Sequence, residues 1–212
     1  MARGRFITFE GGEGGGKSTQ VKGLATVLGG AGIDVVTTRE PGGTPGAEEI
    51  RKLLVEGAPE RWDGMTEALL LAAARREHVV RTIAPALAAG RWVISDRFAD
   101  STLAYQGDGR GLDRAALETL RKLAVGNLLP DLTLILDLPV ELGLARAQAR
   151  RGTELRFEAM DRAFHERLRQ GFLTIAAAEP TRCVVIDAAA PVEAVAGAVR
   201  AAVAARLGVT LA

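Results

Sequence analysis

The sequence has few of the features that would point to a disulfide-stabilised, membrane or nucleic-acid-binding protein. It contains one cysteine, Cys183, so no disulfide can form within the chain. No apolar run approaches the roughly 18 residues that a membrane-spanning helix needs, and the N-terminus leads directly into a strand-like segment without a signal-peptide pattern. Lysine and arginine total 27 against 26 acidic residues, so no overall field favours nucleic acid or lipid. These absences predict a soluble, cytoplasmic protein that binds neither membrane nor nucleic acid.

The order of apolar segments indicates an α/β fold. The 212 residues, 48% of them hydrophobic, suit a single domain over 1–212. Apolar segments typical of strands lie at 6–9, 33–38, 92–95, 132–136 and 183–186. Helical patterns lie at 17–28, 47–56, 65–89, 99–106, 113–125, 139–151, 155–177 and 191–207. This alternation predicts three layers, with a five-stranded parallel sheet flanked by helices.

A glycine-rich segment follows the first predicted strand. Residues 11–18, GGEGGGKS, fit the phosphate-binding P-loop pattern G-x-x-x-x-G-K-[ST]. Glycines let several backbone N–H groups point at one phosphate, and the N-terminus of the following helix adds its positive dipole end. Lysine at this position reaches the β- and γ-phosphates, and the hydroxyl after it binds Mg²⁺. The pattern predicts that a nucleoside triphosphate binds at Gly11, Gly12, Glu13, Gly14, Gly15, Gly16, Lys17, Ser18 and Thr19.

Three of the predicted strands are followed by aspartate: Asp96, Asp137 and Asp187. An acidic residue at the end of a strand beside the P-loop strand can hold Mg²⁺, although such an aspartate also serves as a helix cap or turn former. Asp96 stands out because Arg97 follows it, which places a carboxylate for the metal next to a guanidinium for a second phosphate. The chain has no Asn-Lys-x-Asp guanine-reading element, which argues against a GTPase.

Arginines cluster around a break in the helical pattern at Gly152. Cations around the transferred group lower the barrier to phosphoryl transfer, and a flap that excludes water needs a flexible break. The pattern therefore favours a flap (LID) at about 146–157. Its candidate transition-state cations are Arg150, Arg151 and Arg156, and the sequence does not choose among them.

Four segments in the same order resemble the thymidylate kinase family. They are EGGEGGGKSTQ at 10–20, TREPGGT at 38–44, DRF at 96–98 and AYQG at 104–107, of which the second is far more specific than a P-loop. The resemblance implies transfer of the γ-phosphate of ATP to dTMP, giving ADP and dTDP in dTTP biosynthesis. It also implies Mg²⁺, a P-loop NTPase fold of the nucleoside monophosphate kinase type, and a homodimer.

The resemblance further implies roles for individual residues. Arg39 and Arg97 are expected to bind the dTMP phosphate, Glu13 the sugar 3′-hydroxyl and Arg75 a thymine carbonyl, while Tyr105 crowds the 2′ position. The implied dTMP-binding set is Glu13, Arg39, Leu71, Arg75, Arg97, Phe98, Thr102, Tyr105 and Gln106. The implied catalytic set is Lys17, Arg39, Asp96, Arg150, Arg151 and Arg156, with Ser18 and Asp96 holding the metal.

Two departures bear on mechanism and selectivity. One class of the family has an arginine inside the P-loop where this chain has Gly14, so the resemblance is to the bacterial-type class that uses a flap arginine. The family usually has an aromatic residue where this chain has Leu71, and leucine offers no π-face to thymine. We therefore expect thymine either to bind more weakly than it would beside an aromatic side chain or to be supported by different contacts. His78 and His165 are expected to be structural, since the predicted chemistry needs no imidazole.

Two other functions stay open from the sequence. A kinase for another nucleoside monophosphate, or for a small hydroxyl acceptor, is compatible with Leu71, although the segments at 39–43 and 105–106 argue against it. A P-loop switch or assembly ATPase would hydrolyse ATP slowly, without acceptor dependence, and would respond to a protein partner. The second phosphate-binding pair at 96–97 disfavours that alternative.

Overall fold

The computed structural model describes residues 3–58, 60–149 and 156–211. Its centre is one five-stranded sheet in which every neighbouring pair of strands is parallel, in the order β2-β3-β1-β4-β5. The strands are β1 (Phe6–Glu10), β2 (Val35–Arg39), β3 (Trp92–Asp96), β4 (Leu132–Asp137) and β5 (Cys183–Asp187). The predicted α/β fold with five parallel strands is confirmed.

The central strand β1 determines where a ligand can bind. All five of its residues are buried, as expected for a strand covered on both faces. From β1 the chain continues towards β2 on one side of the sheet, and from β4 it continues towards β5 on the other side. In sheets of this kind, ligands bind outside the carboxyl ends of the strands at this change of direction.

Helices cover both faces of the sheet. On one face the helices Lys17–Gly30 and Val192–Leu207 pack on Ile7 and Phe9, and on the other face Phe6 packs on the helix Ala84–Ala88 and its neighbours. Two further segments, Val79–Ile83 and Leu103–Gly109, are π-helical. The helices are α1 (Lys17–Gly30), α2 (Pro45–Val55), α3 (Gly64–His78), α4 (Ala84–Ala88), α5 (Ala99–Thr102), α6 (Arg114–Val125), α7 (Val140–Gln148), α8 (Arg162–Ala178) and α9 (Val192–Leu207). In the ranges that the structure describes, none of these helices is both long and apolar enough to span a membrane.

The predicted start of the long helix at 155 is wrong. Residues 156–160 form turns, and α8 begins at Arg162. The carboxylate of Asp161 accepts a hydrogen bond from the backbone N–H of Phe164 at 2.6 Å, which is the geometry of a helix N-cap. The predicted helix at 99–106 is also longer than expected, because helical backbone continues through Gly109.

Backbone atoms of the P-loop and α7 lie in close contact. Gly14 has a φ of 69°, and a Cβ added there would lie 2.0 Å from the carbonyl oxygen of Gly143. A Cβ added at Gly143 would lie 2.5 Å from the carbonyl oxygen of Glu13. Both positions therefore need glycine. The same contact gives a physical reason why no arginine stands at position 14.

Replacing Gly143 with alanine should displace the P-loop. We expect a loss of about 1–3 kcal/mol in the free energy of unfolding, because the added methyl overpacks a close contact, together with weaker nucleotide binding. Urea unfolding and calorimetric titration measure the two effects. The matched control is Gly197→Ala in α9, where an added Cβ meets nothing within 4 Å and should stabilise by about 0.5–1 kcal/mol. Equal stability of Gly143→Ala and the parent chain would contradict the tight contact.

Candidate active site

A cleft of about 550 Å³ opens at the carboxyl edge of the sheet. This volume lies within the usual range for small-molecule sites. Gly11 and Gly12 face a smaller cavity next to it, and Thr19 is exposed on the first turn of α1. The cleft brings together these predicted residues: Glu13, Gly14, Gly15, Gly16, Lys17, Ser18, Arg39, Leu71, Arg75, Asp96, Arg97, Phe98, Thr102, Tyr105 and Gln106.

The side chain of Lys17 is hydrogen-bonded to the backbone of the P-loop. The Nζ atom of Lys17 donates to the carbonyl oxygens of Gly11 at 3.1 Å and Gly12 at 2.7 Å. Gly16, with a φ of 79°, precedes α1 and has no side chain to cap the helix, so the N–H groups at the start of the first turn can bind an anionic ligand. Burial and the charge of Arg97 lower the pKa of Lys17 to about 8, against the opposing effect of Glu13.

Ser18 and Asp96 form a pair of oxygen ligands beside the P-loop. The Ser18 hydroxyl donates to Asp96 Oδ2 at 2.5 Å. Asp96 reaches this position because β3 pairs directly with β1 and β2, which places it opposite Phe9 and Arg39. Within the described ranges, no three or more His, Cys, Asp or Glu side chains lie together so that they could hold a metal by themselves. One carboxylate and one hydroxyl suit Mg²⁺, which usually takes its other ligands from water and substrate phosphates.

Glu13, Arg97 and Tyr105 meet at the centre of the cleft. Arg97 Nη2 and the Tyr105 hydroxyl both donate to Glu13 Oε1, at 2.9 Å and 2.5 Å. The Arg97 guanidinium also lies 4.9 Å from the centre of the Tyr105 ring. Burial alone would raise the pKa of Glu13, but the charges of Arg97 and Lys17 lower it to about 2. The carboxylate is therefore ionised at neutral pH and can accept a hydrogen bond from a ligand hydroxyl.

Glu10 fixes the turn that carries Arg97, a role that the sequence analysis missed. Its Oε1 accepts from the backbone N–H of Phe98 at 2.7 Å, and its Oε2 accepts from the Ser101 hydroxyl at 2.5 Å. Burial and the neighbouring Asp100 raise the pKa of Glu10 well above its usual range. The available signal was an acidic residue directly after four residues of a buried strand, where a carboxylate needs hydrogen-bond donors.

Arg75 and Leu71 lie one helical turn apart on α3 at another wall of the cleft. Arg75 Nη2 donates to the carbonyl oxygen of Phe98 at 3.1 Å and to Thr102 Oγ1 at 3.0 Å, and its Nε donates to Glu40 Oε2 at 2.7 Å. Leu71 is half-buried. Glu40 was part of the recognised segment at 38–44 but had no predicted role.

Arg156 and Gln106 converge on a buried carboxylate, that of Glu67. Gln106 Nε2 lies 3.1 Å from Glu67 Oε2, and Arg156 Nη2 forms an ion pair with Glu67 Oε1. The guanidinium of Arg156 also donates to the carbonyl oxygens of Leu54 and Ala58, at 3.1 Å and 2.9 Å. Arg156, at the C-terminal end of the predicted flap, is thereby bonded to α2 and α3. Arg150 and Arg151 lie outside the described residues.

The family model "Thymidylate kinase" matches residues 9–199. The chain belongs to the thymidylate kinase family. Among curated thymidylate kinases it is 57% identical to that of Caulobacter vibrioides, covering 98% of this chain and 100% of the relative. It is 55% identical to that of Bradyrhizobium sp., covering 97% and 92% of the two chains.

A solved structure of a thymidylate kinase has the same fold. The crystal structure of the enzyme from Ehrlichia chaffeensis superposes with a TM-score of 0.78 at 36% identity. The superposition covers 95% of this chain and 99% of that chain. The recognised family and the P-loop fold are confirmed by these likenesses, while the roles of single residues stay predictions.

For this member of the thymidylate kinase family, ATP affinity in the absence of acceptor should fall as pH rises through about 8. The protonated form of Lys17 attracts phosphate, and with a pKa of about 8 its protonated fraction drops about tenfold between pH 7 and 9. Calorimetric titration at several pH values measures the affinity. Lys17→Arg, whose guanidinium stays charged over this range, is the matched control and should give a flatter profile. Equal slopes for the parent chain and this variant would contradict the prediction.

Proposed function

We propose that this chain transfers the γ-phosphate of ATP to dTMP, giving ADP and dTDP. The observation that carries the proposal is a single cleft lined by the P-loop and by a second set of phosphate-binding cations, in a chain of the thymidylate kinase family. A nucleotide-dependent switch needs only the P-loop to bind its phosphates. Two phosphate-binding sets on one cleft suit a reaction in which the acceptor carries its own phosphate.

Different phosphate groups would be bound by different cations, namely Lys17, Arg39 and Arg97. Lys17 lies on the P-loop and would contact the β- and γ-phosphates. Arg39 ends β2 and is half-exposed, with Nη2 3.0 Å from Glu48 Oε2, so its guanidinium can reach a phosphate at the cleft mouth. Arg97 donates to protein oxygens at Gly11 and Glu13, and an acceptor phosphate can replace one of these partners.

The chemistry needs little more than position and charge. A phosphate oxygen of dTMP attacks the γ-phosphorus in line, forming one P–O bond while the bond to the β-phosphate oxygen breaks and ADP leaves. No strong general base is required, because a phosphate monoester is already anionic. Lys17, Arg39 and a flap arginine offset the charge of the transferred group.

Mg²⁺ is the expected cofactor, and the residues present fit it. Asp96 and the Ser18 hydroxyl would hold it, since together they offer the hard oxygen ligands that this ion prefers. When bound, the ion neutralises charge on the phosphates. Asp96 and Ser18 also keep each other in place by their direct hydrogen bond.

The sugar and base would lie towards Glu13, Tyr105 and Arg75. The ionised Glu13 carboxylate can accept a hydrogen bond from the 3′-hydroxyl, and Tyr105, fixed by its own bond to Glu13, would crowd a 2′-hydroxyl. Arg75 would donate to a thymine carbonyl, and Leu71 would give apolar contact to the ring. Because Arg156 is bonded to Glu67, its use as the transition-state cation would require it to leave this partner. Arg150 and Arg151 stay candidates for that cation.

We further propose that the chain works as a homodimer in the cytoplasm, where ATP is supplied. Helix α3 exposes Met65 and Leu69, which lie one turn apart on the same helical face, and the π-helical segment after it exposes Val80. The neighbouring α6 exposes Leu123, of which 74% is accessible. Exposed apolar side chains grouped in this way are typical of protein–protein contacts.

An acceptor series tests the proposed reaction. ADP release from ATP and Mg²⁺ is measured with dTMP, dUMP, UMP, dCMP and AMP supplied separately. We expect turnover with dTMP and at least about a tenfold lower kcat/KM with UMP, because the 2′-hydroxyl meets Tyr105 and one poor contact costs about 1.4 kcal/mol or more. Activity with dUMP close to that with dTMP would indicate that Leu71 supports the base loosely. Hydrolysis of ATP that no acceptor stimulates would contradict the proposal and favour the switch alternative.

Sedimentation tests the proposed dimer. At micromolar concentration we expect a species of about twice the 22.3 kDa of the chain, since interfaces of the usual size are stable at that level. Leu69→Lys should shift the species to the monomer by burying a charge in the contact. Val192→Lys, at another exposed apolar position, is the matched control and should leave the mass unchanged. A monomeric parent chain would contradict the proposal.

A further inference from the structure

A buried chain of hydrogen bonds runs from β2 to the cleft through His78. Thr38 Oγ1 lies 2.6 Å from His78 Nε2, and His78 Nδ1 lies 3.0 Å from Glu40 Oε1. The other oxygen of Glu40 accepts from Arg75 Nε at 2.7 Å. The side chain of His78 has no exposed surface, and those of Glu40 and Arg75 are each 3% exposed. The imidazole is therefore linked to a residue of the cleft wall by one intervening carboxylate.

The hydrogen-bond partners determine which ring nitrogen of His78 carries a proton. A carboxylate paired with a guanidinium has only acceptor oxygens, so Nδ1 must be the donor to Glu40. Nε2 is then available as the acceptor for the Thr38 hydroxyl. Each oxygen of Glu40 is held by a different donor, one from His78 and one from Arg75. Without His78 the carboxylate would lose one of its two fixed contacts, and rotation about its terminal bond is soft.

The loop after β2 fixes the ring in place. Gly43 has a φ of 86°, and a Cβ added there would lie 2.5 Å from His78 Nε2 and 2.6 Å from Thr38 Oγ1. The hydroxyl of Thr82 donates to the carbonyl oxygen of Gly43 at 3.2 Å. The loop backbone therefore covers the imidazole, which leaves the ring little room to tilt.

Arg75 keeps one donor group for a ligand. Its Nε and Nη2 are bonded to Glu40, to the carbonyl oxygen of Phe98 and to Thr102. Within the described residues Nη1 has no hydrogen-bond partner, and Arg75 lines the cleft. Because a guanidinium is planar and only donates, a fixed Nη1 favours a ligand carbonyl oxygen and disfavours an amino group at the same place.

We propose that His78 is a positioning residue for the acceptor base. Acting through Glu40, it holds the guanidinium of Arg75 in the orientation that selects a base with a carbonyl oxygen at the contacted position. This inference rests on the proposed phosphorylation of dTMP and adds a residue that touches neither substrate. It gives His78 a role in substrate selectivity in place of the purely structural one expected from the sequence.

Two amide substitutions distinguish the contributions of the two ring nitrogens of His78. His78→Asn can place an amide donor near the position of Nδ1, and His78→Gln can place its amide near Nε2. We expect His78→Gln to raise the KM for dTMP about tenfold, since loss of one hydrogen bond to a charged group has an effect of this size, with kcat and the KM for ATP within about twofold. His78→Asn should stay within about threefold of the parent for dTMP. The preference for dTMP over dCMP should fall in His78→Gln and persist in His78→Asn.

Controls distinguish positioning from general damage to the fold. Thr38→Val keeps the shape of the side chain and removes only the partner of Nε2, so it should leave the KM for dTMP nearly unchanged. In an Arg75→Met background, His78→Gln should cause no further rise in this KM, because the effect passes through Arg75. A further rise of similar size in that background, or a KM unchanged by His78→Gln alone, would overturn the inference. Circular dichroism and thermal unfolding verify that each variant is folded.

A spectroscopic test needs no activity and no variant at position 78. The chain has two histidines, so the ring nitrogen resonances of His78 in ¹⁵N-labelled full-length protein can be assigned by comparison with His165→Asn. We expect a proton on Nδ1 of His78. A ring whose Nδ1 carries no proton would overturn the inference. A parent chain that does not phosphorylate dTMP would instead overturn the proposed function, and the two failures are therefore distinguishable.

Discussion

The turn that follows β3 determines where the charged groups of the cleft lie. The backbone N–H of Arg97 donates to the carbonyl oxygen of Phe9 at 2.8 Å, and the hydroxyl of Ser95 donates to the carbonyl oxygen of Arg97 at 2.7 Å. Arg97 has a φ of 70°, a left-handed conformation that costs a non-glycine residue about 1–2 kcal/mol. These bonds tie the turn to the end of β1 and offset that cost. As a result, consecutive side chains diverge, with Asp96 directed to Ser18 and Arg97 directed to Glu13.

The cleft contains buried cations that are already surrounded by acceptors. Lys17 is bonded to two carbonyl oxygens, and Arg97 to one carbonyl oxygen and the Glu13 carboxylate. In the proposed reaction, an entering phosphate would exchange places with oxygen atoms of the protein, so the cations would need little rearrangement. Groups held in advance around the position of developing charge are the main source of rate enhancement in phosphoryl transfer.

The sheet and the P-loop could be predicted from the sequence because their signals are local. Each strand is a short apolar run, and the P-loop pattern is contiguous in the chain. The start of α8 was mistaken because residues 155–161 continue a helical pattern, whereas the cap at Asp161 depends on one side-chain contact. A local pattern does not show which of two competing backbone conformations a capping side chain will favour.

The partners of the carboxylates that support the site were not predictable from local sequence. Glu10 reaches Phe98 across 88 positions, Glu40 reaches Arg75 across 35, and Glu67 pairs with Arg156 across 89. Neither composition nor hydrophobic periodicity shows that residues so far apart in the sequence meet in the folded chain. A substrate-contacting residue can be inferred from its motif, but the residue that orients it is known only when the chain is folded.

The backbone contact between the P-loop and α7 also limits where a cation could be placed in this fold. With this backbone, Gly14 cannot be exchanged for arginine by itself, because the new Cβ would meet the carbonyl oxygen of Gly143 and the residue would keep a left-handed φ. A chain with a cation at position 14 would need α7 in a different place. The identity of residue 14 and the position of a helix that begins 126 positions later in the chain are therefore coupled, and neither can change without the other.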